Sequence, residues 1–278
     1  RWMESTLEVA RWENMRKAGR RWGWWGAAVG AVLGLLVYAP APWLAQAVVV
    51  STGGRLLLAE SSGTIWHGDA VVVLTGGPGS RDAAALPGRL QWDWGWRDGG
   101  LRVSLRQDCC MPVPVALTVR PAWKRVRLTI QTETPSPVLG HWPAAWLNGL
   151  GTPWNTLQLG GIVRVAAQQL ALEWTPAGGL QLEGAAQVMM DDASSSITTL
   201  DRLGSYRIEL VGQPQGPISL SLMTLEGALQ LSGQGEIGPH GLRFHGEAQA
   251  SPEERGALDN LLNIIGRRSG DRSVISIG

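Results

Sequence analysis

Residues 218–250, ISLSLMTLEGALQLSGQGEIGPHGLRFHGEAQA, decide the fold class. Ile218, Leu220 and Leu222 alternate with Ser219 and Ser221. Leu229 and Leu231 alternate with Gln230 and Ser232, and Leu242 and Phe244 with Arg243 and His245. A period of two puts one set of side chains on a core and the other in water, which predicts half-buried antiparallel strands. Gly238-Pro239-His240-Gly241 between two of the runs has the composition of a hairpin turn.

The same period extends upstream. Leu101-Val103-Leu105 alternates with Arg102-Ser104-Arg106, Val126-Leu128-Ile130 with Arg125-Arg127-Thr129, Leu180-Leu182 with Gln181-Glu183, and Tyr206-Ile208-Leu210 with Arg207-Glu209. Gly/Pro clusters at 76–79, 98–100, 176–179 and 213–217 separate the runs. No βαβ rhythm is present, so a Rossmann-type sheet is not expected. Two helical interruptions are expected. One lies near 136–150 and carries Trp142 and Trp146. The other starts from a capping box at Ser251, Pro252 and Glu254, buries Leu258, Leu261, Leu262 and Ile265, stops at Gly266 and leads to a last strand over 273–277.

Ahead of the strands, residues 22–54 carry no charge, and 22–39 are almost wholly apolar. At about 1.5 Å per helical residue this is roughly the depth of a bilayer core, so a single transmembrane helix is expected. Arg11, Arg16, Lys17, Arg20 and Arg21 precede it, and no basic residue follows until Arg55, which by the positive-inside rule keeps the amino terminus cytoplasmic. Trp22, Trp24 and Trp25 at one end, with Tyr38 and Trp43 at the other, fit interfacial belts. Pro40 and Pro42 end the helix, and Ala45-Gln46-Ala47 offers a cleavage pattern. Residues 1–14 show no pattern, and Met15 is a candidate natural start.

The expected organisation is a cytoplasmic segment at 1–21, a transmembrane helix at 22–43 and an exported β-rich body at 44–278, with halves at about 55–150 and 151–278. The fold class is mainly β: antiparallel meander sheets with one or two short helices behind a single transmembrane helix.

Composition removes several functions. A net charge of +1 with 17% charged residues lacks the clustered basic surface that nucleic acid requires. The two cysteines, Cys109 and Cys110, are adjacent, so they supply no long-range framework and no zinc spacing. The four histidines lie far apart. Asp191-Asp192 with Ser194-Ser195-Ser196 reads as a polar surface loop, since it lacks both a cation-loop spacing and a nucleophile elbow. Gly233-Gln234-Gly235 sits inside a strand, where no phosphate cradle forms. No catalytic, cofactor or metal residue is named, and no enzyme is expected.

Fifteen Trp against two Tyr and one Phe is an unusual balance. Trp92, Trp94 and Trp96 share one face of a strand, as a core ladder or as a partner-binding surface. Arg102 and Arg106, on the solvent face of the next strand, are candidates for meeting an acidic partner.

The stretch Gly63-Thr64-Ile65-Trp66-His67-Gly68-Asp69-Ala70 resembles the G-T-[LI]-W-x-G-x-A signature of the type II secretion system protein N (GspN) family. Leu90-Gln91-Trp92-Asp93-Trp94 resembles that family's L-x-W-x-W strand, and 203–206, 227–235, 244–250 and 261–268 follow in the family's order. The resemblance implies an accessory subunit of the cell inner membrane platform of a Gram-negative bacterium. Its periplasmic body would support secretion of folded proteins by binding the secretin and bitopic platform proteins. The alternative is a periplasmic lipid-binding or envelope-maintenance protein, because a long sheet with one apolar face can curl into a groove.

Overall fold

A computed structural model describes residues 23–97, 99–122, 125–132, 138–175, 179–212, 216–238 and 241–278. The basic flank from Arg11 to Arg21, Trp22 and the centres of several expected turns lie outside them. The strands are β1 (Leu56–Gly63), β2 (His67–Thr75), β3 (Ala83–Ala85), β4 (Leu90–Arg97), β5 (Gly100–Arg106), β6 (Val115–Ala122), β7 (Arg125–Thr132), β8 (Val138–Pro143), β9 (Leu159–Thr175), β10 (Gly179–Ser195), β11 (Gly204–Gly212), β12 (Ile218–Gly227), β13 (Leu229–Gly238), β14 (Gly241–Ala250), β15 (Arg267–Ser269) and β16 (Arg272–Ile277). They form one sixteen-stranded sheet in the order β1-β2-β4-β5-β6-β7-β9-β10-β11-β12-β13-β14-β16-β15, with β3 beside β2 and β8 beside β9. Every pairing is antiparallel, and the fold is mainly β, as the alternation predicts. All seven alternating runs fall within strands.

Register turns alternation into two faces. Trp94, Val103, Leu117, Ile130 and Leu170 stand in one row across β4, β5, β6, β7 and β9. Val165, Val188, Ile208, Leu222, Gly233, Gly246 and Ile275 make a second row from β9 to β16. Neither row contains a charge. On the other face Arg120, Arg127, Glu173 and Gln181 stand in line, with Arg125 and Arg127 paired to Glu173.

Three apolar clusters occupy the uncharged face. At one end of the strand order Ala41 and Leu44, from helix α2 (Ala41–Ser51), pack on Ala70, Trp92 and Val103. In the middle Leu170, Leu182 and Ile218 pack with Ile130, Leu210 and Ile237. At the other end Leu258, Leu261 and Leu262 of α4 (Arg255–Ile265) sink into Leu203, Leu229, Ala248 and Ala250. Glycines 233, 235 and 246 leave room for the Phe244 ring, which a Cβ at any of them would meet at 3.0 Å or less.

The segment between β8 and β9 shows that the sheet curls. A 3-10 helix, Ala144–Leu150, leads to α3 (Trp154–Leu157). Leu150 and Gly151 lie against Gly76, at the end of β2, while Leu157 packs on the α4 cluster beside Leu203. Six residues span at most about 22 Å. The seven strand steps from β2 to β11 cover roughly 34 Å on a flat sheet. The sheet is therefore bent, and this segment straps its two parts together, with Asn155 donating to Asp82 at 3.0 Å.

Several expectations need correction. Of the described residues in the interruption expected near 136–150, only Ala144–Leu150 are helical, and Trp142 lies in β8, donating to Gln107 at 2.9 Å. The capping box does not form. Ser251 makes no side-chain cap, and its carbonyl accepts from Glu254 N at 3.1 Å through the 3-10 turn Pro252–Glu254. The last strand expected over 273–277 is present as β16, with the unexpected short β15 paired to it. Asp191 and Asp192 lie within β10, not in a loop, and pair with Arg164 and Arg202. Cys109 and Cys110, whose pairing the sequence leaves open, are bonded to each other.

Residues 23–37 form a helix, α1, of which only Gly34 is partly covered. Among the described residues no helix is long and apolar enough to cross a membrane. The two prolines act differently from each other. Pro40 is extended and breaks the helix, whereas Pro42 sits in the first turn of α2, where no backbone donor is missed.

Candidate functional site

The signature at 63–70 forms a socket where α1 meets the sheet. Gly63 has φ +87°, and a Cβ there would lie 2.4 Å from the carbonyl oxygen of His67, so the turn between β1 and β2 requires glycine. The Thr64 hydroxyl accepts from Trp66 N at 3.2 Å and His67 N at 3.1 Å, an ST-type turn that leaves neither donor unpaired. Ile65 N donates to Ala39 O at 2.9 Å, and Trp66 Nε1 to Leu36 O at 2.7 Å. The last carbonyls of a helix have no partner within it, and here the turn supplies donors for that end of α1. Pro40 and Thr64 add a bridge of strand type.

The remaining signature positions fit this packing. Gly68 passes under the Trp92 ring, which a Cβ would meet at 2.6 Å. Ala70 is fully buried beside Ala41 of α2, where the two small side chains share one cluster. Trp66 meets Trp94 edge to face, with centroids 6.4 Å apart and planes at 89°. Asp69 accepts from the Ser62 hydroxyl and from Arg89 Nε, and Arg89 Nη2 donates to Glu60 O at 2.7 Å. The Ser62 hydrogen bond, then Arg89, holds the Asp69 carboxyl below its usual range.

Four of the five candidate residues, all but Trp94, border one basin, but they differ in burial. Trp92 is 4% exposed and Trp94 half-buried, both in the α2 cluster, while Trp96 is 70% exposed. Trp92 Nε1 donates to Thr64 O at 3.2 Å. Arg102 lies opposite Gly95 and Arg106 opposite Gln91, so both belong to the polar face. Together with Trp92 and Trp96 they line a basin of about 790 Å³, which Asp69, Asp93 and Arg97 also border. Among the described residues no His, Cys, Asp and Glu group could hold a metal ion. Sequence reading picked out the signature but gave Thr64 and Trp66 no structural part. The signal available was a glycine-threonine pair at a turn directly after an apolar helix.

The family model for type II secretion system (T2SS), protein N, matches residues 54–275. The chain belongs to that family. The protein N match begins two residues before β1 and ends within β16, so it takes in the whole sheet but for its last two residues. No curated protein and no solved structure matches the chain. Protein N is a secretion accessory family and not a known enzyme family, and membership carries a T2SS accessory role.

Proposed function

We propose that this protein is a bitopic subunit of the T2SS inner-membrane platform, with the apolar segment 22–39, of which α1 is the described helical part, in the membrane, its amino terminus cytoplasmic and its sheet periplasmic. The observation carrying the anchor is α1 itself. Residues 23–37 hold no charge, and Trp24, Trp25, Val29, Val32, Leu33, Leu35, Leu36 and Val37 are all exposed around the helix. A helix apolar on every side needs an apolar surrounding, and lipid supplies one.

The sheet edges favour β1 as the place where other secretion subunits pair. β15 ends the order with three residues, two of them arginine, which blunts addition of a strand. β1 offers eight residues paired along one flank only, beginning Leu56-Leu57-Leu58-Ala59 without a charge. The secretin and the bitopic platform proteins are the proposed partners. A photo-cross-linker at Leu57 in cells is expected to capture one of these subunits, while one at Ser269 captures none. Absence of any secretion subunit from the Leu57 adducts, in cells that still secrete, rejects edge pairing.

A second reading, a lipid carrier, is favoured by the uncharged rows running from β4 to β16. Its test is phospholipid retained stoichiometrically by the purified protein after detergent exchange.

A further inference from the structure

We infer that the end of the sheet nearest α1 rests on the bilayer surface, with Trp96 and Val126 entering the interfacial layer. The inference builds on the anchor reading and adds an orientation for the sheet.

Register defines that end. Gly63 pairs with Gly68, Arg97 with Gly100, Ala122 with Arg125 and Thr175 with Gly179, so these paired ends of β1 and β2, β4 and β5, β6 and β7, and β9 and β10 all lie at one end of the sheet. The turn at 64–67 grips the last turn of α1, so α1 departs from the same end. A membrane holding α1 therefore lies on that side.

Exposure follows the same direction along β4. It rises from 4% at Trp92, through half-buried Trp94, to 70% at Trp96. Trp96 lies about 13 Å beyond Trp92 at the strand rise. Its row continues through Leu101 and Val119 to Leu128, and Val126, two residues nearer the end, is 40% exposed. A packed sheet usually ends its apolar face where its core ends, but here the face carries on past the core toward α1. Arg97 and Arg125 flank these residues and are exposed. Tryptophan beside arginine suits the headgroup layer, where an amphipathic ring and a phosphate-binding cation are both satisfied. Tyr38 and Trp43, exposed where α1 gives way to α2, extend the aromatic layer. Glu173 holds part of the Arg125 charge, so the apolar side chains carry most of this contact.

The test places a fluorophore, one position at a time, at Val29→Cys in α1, Trp96→Cys, Val126→Cys and Ser196→Cys, the last exposed at the far end of the sheet. The full chain is reconstituted in nanodiscs of phosphatidylethanolamine and phosphatidylglycerol, with spin label on either headgroup or acyl chain. The expected result is acyl-chain quenching at 29 and headgroup quenching at 96 and 126 several-fold above that at 196. Quenching at 29, with 96 and 126 no brighter or dimmer than 196, overturns the inference and leaves the anchor standing. Absence of quenching at 29 removes the anchor reading, and the inference with it. Position 126 supplies the reading from a second strand pair should Trp96→Cys disturb the first.

Discussion

At the scale of single residues, two glycines with opposite surroundings separate packing from backbone freedom. A Cβ at Gly68 would meet Ser62 O at 2.5 Å and the Trp92 ring at 2.6 Å, whereas one at Gly256 in α4 meets nothing within 4 Å. Gly68→Ala is expected to cost about 1–3 kcal/mol by overpacking. Gly256→Ala should add about 0.5–1 kcal/mol through helix propensity. Urea unfolding of both variants checks the pair of signs. Asp69 gives a pH signature. Its carboxyl is held below the ordinary value by Ser62 and Arg89, so the carboxylate stabilises the fold fully above the unfolded value of about 3.9. That contribution fades as pH falls through the lower, folded value. Asp69→Asn should therefore weaken the protein at pH 7 and leave it close to wild type at the acid end, as read by thermal unfolding across pH.

Among elements, α4 is held by its apolar stripe. Leu258, Leu261 and Leu262 are the three largest fully buried side chains among the described residues, and no side-chain cap supports the start of the helix. Leu261→Ala is expected to cost about 2–5 kcal/mol, measurable by urea unfolding, because the surrounding β14 and β16 cannot collapse into the gap. This helix was legible in the sequence, since its 3.6-residue spacing is local. The strands over 218–250 were legible for the same reason. What was not legible lies between elements. Nothing local in the chain joins β7 to β9, puts Leu157 on the α4 core, or sets Trp92 inside and Trp96 outside on one strand. Those outcomes depend on where α2 and the strap settle. The capping box failed because a 3-10 turn at Pro252–Glu254 answered the backbone demand before the side chain could. Of the candidate site, the tryptophan and arginine residues were found, but that Trp92, Trp96, Arg102 and Arg106 border one basin needed the register of β4 on β5.

For the whole molecule, β9 and β10 are the continuous members. Each is 17 residues long, and β9 pairs with β7 along one part and β8 along another. The strap from Ala144 to Leu157 fastens β2 to the α4 core across residue 150, where the boundary between two halves is expected. Native-state hydrogen exchange at Val103 in β5 and Leu231 in β13 is expected to report one common opening free energy. Two separate plateaus would mean that the halves open independently. The grip of the 64–67 turn on Leu36 and Ala39 bears on how the protein is steered. A tether joined through a free linker lets its cargo swivel, but here the Leu36 carbonyl in the last turn of α1 and the Ala39 carbonyl just beyond it are bonded to the first hairpin. Any tilt of α1 is thereby passed to the strands as a change of heading. With the anchor proposed above, the helix would act as a rudder, and replacing it with an unrelated hydrophobic segment would keep the protein moored while losing its bearing.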